Sequence, residues 1–267
     1  MAHLRLPRVA LAICLLAATA CSKDEASTPT IDIGAKPVES GLADAGKPQR
    51  GGQLVYAMEA DNLNYCLPEA QMAMAGMQVT RAIYDPLVVP NAEGGYSPYL
   101  AQSVEPNPDF TEWTIRLRDG VTFTNGEKLD AKLVRDNLDA YRGAPSYGDD
   151  NEPNPRSALL MPFFFRDVAD VIATDDMTVT VKTTRPWVAF PATLYASGRV
   201  AIMARAQLEA SKEDCTTKPI GSGPFTVASW DIGVSLKLVR NPNYWQKAED
   251  GKPYPYVDTI AFRPIPD

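Results

Sequence analysis

Polar and apolar residues alternate along several short runs of this chain, as they do in β-strands that are buried on one face. Residues 225–230 and 236–240 alternate in this way and flank Asp231-Ile232-Gly233, which has the chemistry of a hairpin turn. Asn241-Pro242-Asn243 ends the second run, because proline has no N–H to donate to a strand ladder. We therefore predict a hairpin in this part of the chain. Further strands are predicted at residues 52–58, 113–117, 177–183 and 257–262.

Apolar residues recur every three or four positions in other stretches, which indicates amphipathic helices. The first such stretch is residues 69–84, and a second follows Asp130, whose carboxylate is placed to cap the helix. Shorter helices are predicted at residues 186–194 and 204–210. Residues 143–157 are polar and contain proline and glycine, which predicts a mobile loop. The chain therefore combines strands with helices.

The first twenty residues have the composition of an export signal. Arg5 and Arg8 supply positive charge, residues 9–18 form an apolar stretch too short to cross a bilayer, and Ala18-Thr19-Ala20 supplies small residues. Cys21 follows directly, and this arrangement resembles a bacterial lipobox, whose cysteine is acylated. The alternative is an ordinary secretory signal followed by an incidental cysteine.

A disordered tether is predicted for residues 21–50, which are rich in small and charged side chains and poor in large apolar ones. Such a segment cannot bury enough apolar surface to offset the entropy of ordering it. About 217 residues follow, enough for one large domain or two modest ones. We expect residues 51–267 to be folded.

The charge and the histidine content exclude several classes of function. The formal net charge is −7 and no basic patch occurs, so nucleic-acid binding has no electrostatic basis. His3 is the only histidine and lies in the predicted signal, so the mature protein would contain none. Ser-His-Asp and Cys-His catalysis are thereby excluded, and the commonest transition-metal ligand is missing. We expect no enzyme activity, no metal and no cofactor.

Three motifs near the end of the chain carry a resemblance to a known family. They are, in order, Gly221-Ser222-Gly223-Pro224-Phe225, Arg240-Asn241-Pro242-Asn243-Tyr244-Trp245 and Phe262-Arg263-Pro264-Ile265-Pro266-Asp267. Together they resemble the extracellular solute-binding proteins of family 5, the oligopeptide and dipeptide receptors of ABC importers. Ser222 stands where the family usually has threonine, and it keeps the hydroxyl group. Ile83-Tyr84-Asp85-Pro86-Leu87 and residues 98–123 and 126–134 resemble further elements of the family.

The resemblance implies a periplasmic-binding-protein-like α/β fold (mixed α+β), which has two lobes in the family. This chain corresponds to lobe I, with a cleft-wall subdomain at about residues 51–88 and 186–267 and an appended subdomain at about 89–185. Pro264, Ile265, Pro266 and Asp267 are then expected to form the hinge to lobe II. Without lobe II and the return segment, we expect this stretch to bind ligand weakly or not at all.

Glu59, Asp61 and Asn62 follow the first predicted strand and are the candidates for the edge of the ligand cleft. An acidic group there can pair with a ligand ammonium, and the alternative is a capped turn. Leu63-Asn64-Tyr65 departs from the L-D-P triplet of the family, so we expect the cleft edge to differ in shape.

Two cysteines remain beyond the signal and the lipid site, namely Cys66 and Cys215. An exported chain meets an oxidising compartment, and in the family the two regions that hold these cysteines belong to one subdomain. A Cys66–Cys215 disulfide is therefore expected. The alternative is a pair of buried free thiols.

Arg116 and Arg118 alternate with apolar residues in the strand predicted at 113–117 and just after it. They admit two interpretations, an anion-binding site or the solvated face of a strand. We favour the solvated face, because alternating charges on a strand are typical of it.

The resemblance implies that the protein captures peptides or similar solutes outside the cytoplasmic membrane and delivers them to an ABC permease. We expect a monomer in the cell envelope, attached to the membrane through a lipid on Cys21 and facing the periplasm or the extracellular side. The alternatives are a scaffold or adhesion lipoprotein of the same fold and an envelope enzyme. The lack of histidine and of a nucleophile elbow disfavours the enzyme.

Overall fold

The computed structural model describes residues 46–147 and 152–265, and the alternating and helical runs of the sequence form strands and helices there. The strands are β1 (Gln53–Met58), β2 (Val88–Pro90), β3 (Tyr96–Pro98), β4 (Ala101–Pro106), β5 (Glu112–Leu117), β6 (Ser146–Tyr147), β7 (Glu152–Pro153), β8 (Val168–Asp175), β9 (Thr178–Thr183), β10 (Phe225–Asp231), β11 (Ser235–Arg240) and β12 (Thr259–Pro264). The helices are α1 (Met74–Ile83), α2 (Ala131–Arg142), α3 (Met161–Phe164), α4 (Phe190–Thr193), α5 (Arg205–Leu208) and α6 (Lys212–Thr217), with a 3₁₀ turn at Ala196–Gly198.

The first sheet contains β1, β12, β11 and β10 in that order. β1 pairs parallel with β12, whereas the other neighbours pair antiparallel. The predicted hairpin is confirmed as β10–β11, and a bulge between Val227 and Ser229 interrupts its alternation. Leu236, Leu238 and Phe262 lie on the buried face of this sheet. Parallel and antiparallel pairs within one sheet confirm the mixed α/β class.

The second sheet contains β4, β5, β9 and β8 in that order, and all its neighbours pair antiparallel. α2 packs against β8 and β9. Asp130 caps this helix as predicted, because its carboxylate accepts a hydrogen bond from the Leu133 N–H at 2.7 Å. Gly143 ends the helix with a positive φ of 70°, a conformation that favours glycine.

Some predicted boundaries are wrong, and tertiary contacts explain the largest difference. The helix predicted at residues 69–84 begins only at Met74. Glu69 instead lies in a turn, and its carboxylate accepts a hydrogen bond from the Ser157 N–H at 3.2 Å. The helices predicted at residues 186–194 and 204–210 are single turns, α4 and α5.

Buried apolar side chains from both sheets form one continuous core, in which Ile115 of β5 and Leu238 of β11 are fully enclosed. β1 is the outermost strand of its sheet, and its Leu54, Val55 and Tyr56 side chains are exposed. In residues 46–147 and 152–265, no helix combines the length and the apolar character needed to cross a bilayer.

Candidate ligand-binding edge

β1 and β12 run parallel and side by side, so their carboxyl ends lie at one edge of the sheet, which we call the ligand edge. Met58 pairs with Pro264 at the last rung, and the Ile265 N–H donates a hydrogen bond to the Met58 carbonyl at 2.8 Å. Ligands of open α/β sheets bind outside the carboxyl ends of the strands. The fold thus places the residues predicted for the cleft edge beside Pro264 and Ile265 of the predicted hinge. Pro266 and Asp267 of that hinge, and Cys21, lie outside the described residues.

Glu59 is the first residue after β1, and its side chain is exposed. Within the part of the chain that the structure describes, its carboxylate has no hydrogen bond or ion pair. The carboxylate of Glu59 is therefore available to a cationic group of a bound solute.

The Asp61 carboxylate connects the turn after β1 to the tip of the β10–β11 hairpin through hydrogen bonds. One carboxylate oxygen accepts a hydrogen bond from the Asn62 N–H at 2.8 Å. The other accepts from the Gly233 N–H at 2.7 Å. This is the geometry of a capped turn, and both oxygens are occupied by backbone donors.

Asn62 packs closely on helix α1. Its side-chain amide donates to the Asn64 carbonyl at 2.7 Å. A Cβ on Gly76 would lie 2.7 Å from Asn62 Cγ, so only glycine permits this approach. Gly76 therefore sets the position of Asn62 at the ligand edge.

Exposed apolar side chains also belong to this part of the molecule. Each is attached to a segment that reaches the ligand edge, and each is more than half exposed: Leu63, Met74, Ile232, Val234 and Ile265. Exposed apolar groups rimmed by polar ones are typical of ligand-binding and interaction surfaces. The ligand edge thus offers apolar contact surface together with the carboxylate of Glu59.

The two cysteines lie close behind the ligand edge. The sulfur atoms of Cys66 and Cys215 are at bonding distance, and the two Cα atoms are 4.9 Å apart. The Arg156 Nη1 donates to Cys66 Sγ at 3.2 Å and lies 3.7 Å from the carboxylate of Glu69. Arg156 is buried, although it belongs to the stretch predicted as a mobile loop. Nothing in that polar sequence signals the burial of this arginine.

The buried carboxylate of Asp85, itself in the family-like Ile83–Leu87 segment, connects two of the three end motifs, the one that contains Ser222 and the one that contains Tyr244 and Trp245. It accepts hydrogen bonds from Ser222 Oγ at 3.0 Å, from Trp245 Nε1 at 2.8 Å and from the Tyr244 hydroxyl at 3.3 Å. Burial raises the pKa of Asp85 to about 6, although the three donors act in the opposite direction. Asp85 lies just beyond the C-terminal end of α1, whereas Asn62 packs near its start. The sequence placed Asp85 in a family-like motif but did not predict that it joins these segments.

The chemistry available at the ligand edge is that of binding. A carboxylate without a partner and several apolar side chains can hold a solute, but they do not form a nucleophile with its base. No group of three or more His, Cys, Asp or Glu side chains in residues 46–147 and 152–265 could hold a metal ion.

Comparison with known proteins identifies the family. The family model described as "Bacterial extracellular solute-binding proteins, family 5 Middle" matches residues 95–267, well over half of the chain. The chain belongs to this family. The resemblance carried by the three motifs is thereby confirmed. Because its relatives in family 5 are solute-binding proteins, the expectation that the chain is not an enzyme is confirmed as well.

The curated proteins that are similar to this chain include glutathione-binding proteins named GsiB. The glutathione-binding protein GsiB of Salmonella paratyphi A is 28% identical over 168 residues, which are 63% of this chain and 30% of that protein. The GsiB protein of Escherichia coli K12 is 26% identical over 189 residues, which are 71% of this chain and 34% of that protein. The chain thus spans about a third of the length of the relatives that it matches.

Solved structures of family 5 proteins share the fold. The oligopeptide-binding protein AppA from Bacillus subtilis, in complex with a nonapeptide, matches with a TM-score of 0.66 and 22% identity. DppA from Helicobacter pylori, in complex with the peptide STSA, matches with a TM-score of 0.66 and 24% identity. The matches cover 83% and 82% of this chain but only 41% and 44% of those chains. The periplasmic-binding-protein-like fold and its partial lobe are thereby confirmed.

Proposed function

We propose that this chain supplies the first lobe of a lipid-anchored receptor that captures a peptide or a similar solute outside the cytoplasmic membrane. The receptor delivers that solute to the permease of an ABC importer. The observation that carries the proposal is the ligand edge, where Glu59 directly follows Met58, the residue that pairs with Pro264 and Ile265 of the predicted hinge. A solute at this edge touches the lobe where the chain leaves it.

The two sheets support the proposed division of the lobe. Every strand of the first sheet lies in residues 53–58 or 225–264, which belong to the proposed cleft-wall subdomain. Every strand of the second sheet lies in residues 101–183, which belong to the proposed appended subdomain. The exposed apolar side chains of β1 are consistent with further polypeptide packing on this strand in the complete receptor.

The binding proposal is tested by calorimetry of the complete receptor, with its second lobe present, against a pool of short peptides. We expect Glu59→Gln to weaken the binding of peptides with a free N-terminal ammonium about tenfold, because a charge-assisted hydrogen bond is lost. The same peptides with an acetylated N-terminus should bind the wild type and the Glu59→Gln variant with equal affinity. Glu105→Gln is the matched control, since Glu105 is exposed on β4 in the other sheet.

Two results would contradict the proposal. Absence of binding by any peptide in the pool would favour the scaffold or adhesion role instead. An equal loss of affinity for free and acetylated peptides would show that Glu59 does not meet the ammonium.

The lipid anchor needs a separate test, because Cys21 lies outside the described residues. We expect the mass of the purified protein to include acyl chains and the protein to sediment with membranes. Cys21→Ser should abolish both. A wild-type protein of unmodified mass would identify an ordinary secretory signal.

A further inference from the structure

A second concave surface lies away from the ligand edge. Residues 118–120, in the turn after β5, and residues 242–247, in the loop after β11, line an open groove of about 830 Å³, and Pro253 lines it as well. Both walls come from segments that carry the family resemblance. We call this surface the Trp245 groove.

Arg118 is held in place within the Trp245 groove. Its Nε donates to the Tyr99 carbonyl at 3.0 Å, and its guanidinium carbon lies 4.9 Å above the Trp245 ring. Trp245 is itself fixed by its hydrogen bond to Asp85 and by an edge contact with Tyr99 at 5.3 Å. The expectation that Arg118 belongs to a solvated strand face is therefore wrong, because Arg118 lies beyond β5 and stacks on an aromatic ring.

The terminal nitrogens of Arg118 remain available to a ligand. Among the described residues they have no hydrogen-bond partner, although the guanidinium is oriented by its Nε and by the ring beneath it. A planar guanidinium held in this way binds a carboxylate through two parallel hydrogen bonds. The Trp245 groove thus contains a preorganised anion-binding group, the guanidinium of Arg118.

The charges around Arg118 also favour an anion. Lys247 is exposed in the same groove and supplies a second positive charge. Asp119 is the carboxylate in the lining, and one of its oxygens accepts the Gly120 N–H of its own turn at 2.7 Å. Two cations therefore face one carboxylate in a chain whose formal net charge is −7.

The shape of the Trp245 groove selects the kind of anion. Sites for small molecules enclose most of the ligand surface, whereas this groove is open along its length. An open groove with tryptophan and tyrosine in one wall and a fixed arginine in the other combines the residue types that dominate interface hot spots. We propose that the Trp245 groove binds a segment of a partner protein that carries aspartate or glutamate side chains. This second site lies outside the ligand edge, so the inference does not depend on the proposed function.

The test uses fluorescence anisotropy of the full chain with a rhodamine-labelled peptide of alternating glycine and glutamate. We expect it to bind at least about tenfold more tightly than its glutamine counterpart, and more weakly as salt rises. Arg118→Gln should weaken binding of the glutamate peptide about tenfold and Lys247→Gln about threefold. Arg116→Gln and Lys237→Gln are matched controls, since both side chains are exposed, on β5 and β11, the strands that precede the two walls, and neither lines the groove.

Circular dichroism of each variant shows whether it is folded. If Arg118→Gln is unfolded, the proposal is tested by the effect of Lys247→Gln on binding of the glutamate peptide, because the Lys247 side chain is exposed and does not support the core. Equal binding of the glutamate and glutamine peptides would overturn the proposal, and so would an equal effect of Arg116→Gln.

Two further outcomes would assign the groove to another ligand and overturn the proposal. In one, inorganic phosphate or acetate displaces the glutamate peptide at micromolar concentration, which would indicate a site for a small anion. In the other, phosphatidylglycerol vesicles bind in a manner that depends on Arg118 while the peptide does not, which would indicate a membrane surface.

Discussion

The indole nitrogen of Trp245 donates a hydrogen bond at 2.8 Å to the carboxylate of Asp85, a residue that lies 160 positions earlier in the chain. Asp85 is only 2% exposed and also accepts from Ser222 and Tyr244. A buried carboxylate with several donors is costly to leave unpaired, so its partners are fixed in place. Together with the Tyr244 hydrogen bond, this contact joins the end of α1 to the loop that forms one wall of the Trp245 groove.

Replacing Asp85 by leucine should destabilise the protein strongly. The change removes the acceptor of the buried Ser222 hydroxyl and of the partly buried Trp245 N–H, which costs about 3 kcal/mol or more of the free energy of unfolding. Asp85→Asn should cost much less, because the amide both accepts and donates. Urea unfolding measures both, with the exposed Asp109→Leu as control. Similar losses for the leucine and asparagine variants would contradict this account.

The pKa of Asp85 makes a prediction about pH. Burial raises this pKa from its ordinary 3.8 to about 6, so the folded protein keeps the proton over a range in which the unfolded chain has lost it. The contribution of the Asp85 proton to the free energy of unfolding is therefore fully present below 3.8, the pKa of the unfolded chain, and is lost as the pH rises through about 6. From about pH 4 to pH 7, wild type should therefore lose about 2 kcal/mol of its free energy of unfolding relative to Asp85→Asn. Urea unfolding across this range measures the difference, and a constant difference would exclude Asp85 as its cause.

Gly221 and Gly223 should not tolerate a side chain. A Cβ on Gly221 would lie 2.0 Å from the Ile83 carbonyl oxygen, and a Cβ on Gly223 would lie 2.6 Å from the Ile83 carbonyl carbon. The backbone would have to move, so we expect each alanine variant to lose about 3 kcal/mol or more. Gly95→Ala is the control, because its nearest neighbours are Asn91 side-chain atoms at 3.5 Å. Thermal unfolding compares the three, and a stable Gly221→Ala protein would contradict the packing described.

The Cys66–Cys215 disulfide should contribute substantially to stability. It would close a loop with a sequence separation of 149 residues, which corresponds to about 5 kcal/mol in the chain-entropy model. A chain with Cys14→Ser and Cys21→Ser should show no free thiol in denaturant without reductant. Two free thiols would rule the disulfide out. If the bond is present, Cys66→Ala with Cys215→Ala should lower the midpoint of urea unfolding markedly.

Patterns within a few consecutive residues correctly predicted the β10–β11 hairpin and the N-terminal cap of α2. The hairpin β10–β11 follows from alternation around Asp231-Ile232-Gly233, and the cap of α2 follows from Asp130. Both depend on residues a few positions apart, so the sequence displays them directly. The start of α1 was predicted wrongly because Glu69 is drawn into a contact with Ser157, 88 positions later. Helical periodicity carries no information about such a competitor.

The sequence by itself determined the mixed α/β class and the family, and it predicted Glu59, Asp61 and Asn62 as candidates for the edge of the ligand cleft. Only the tertiary structure decided that Asp61 is bound to Gly233, 172 positions away, while Glu59 is left without a partner in the described residues. It also decided that Arg118 stacks on Trp245 rather than lying on a strand face. The physical reason is the same in both cases. A side chain's partners depend on which distant segments pack beside it, and spacing along the chain does not encode that.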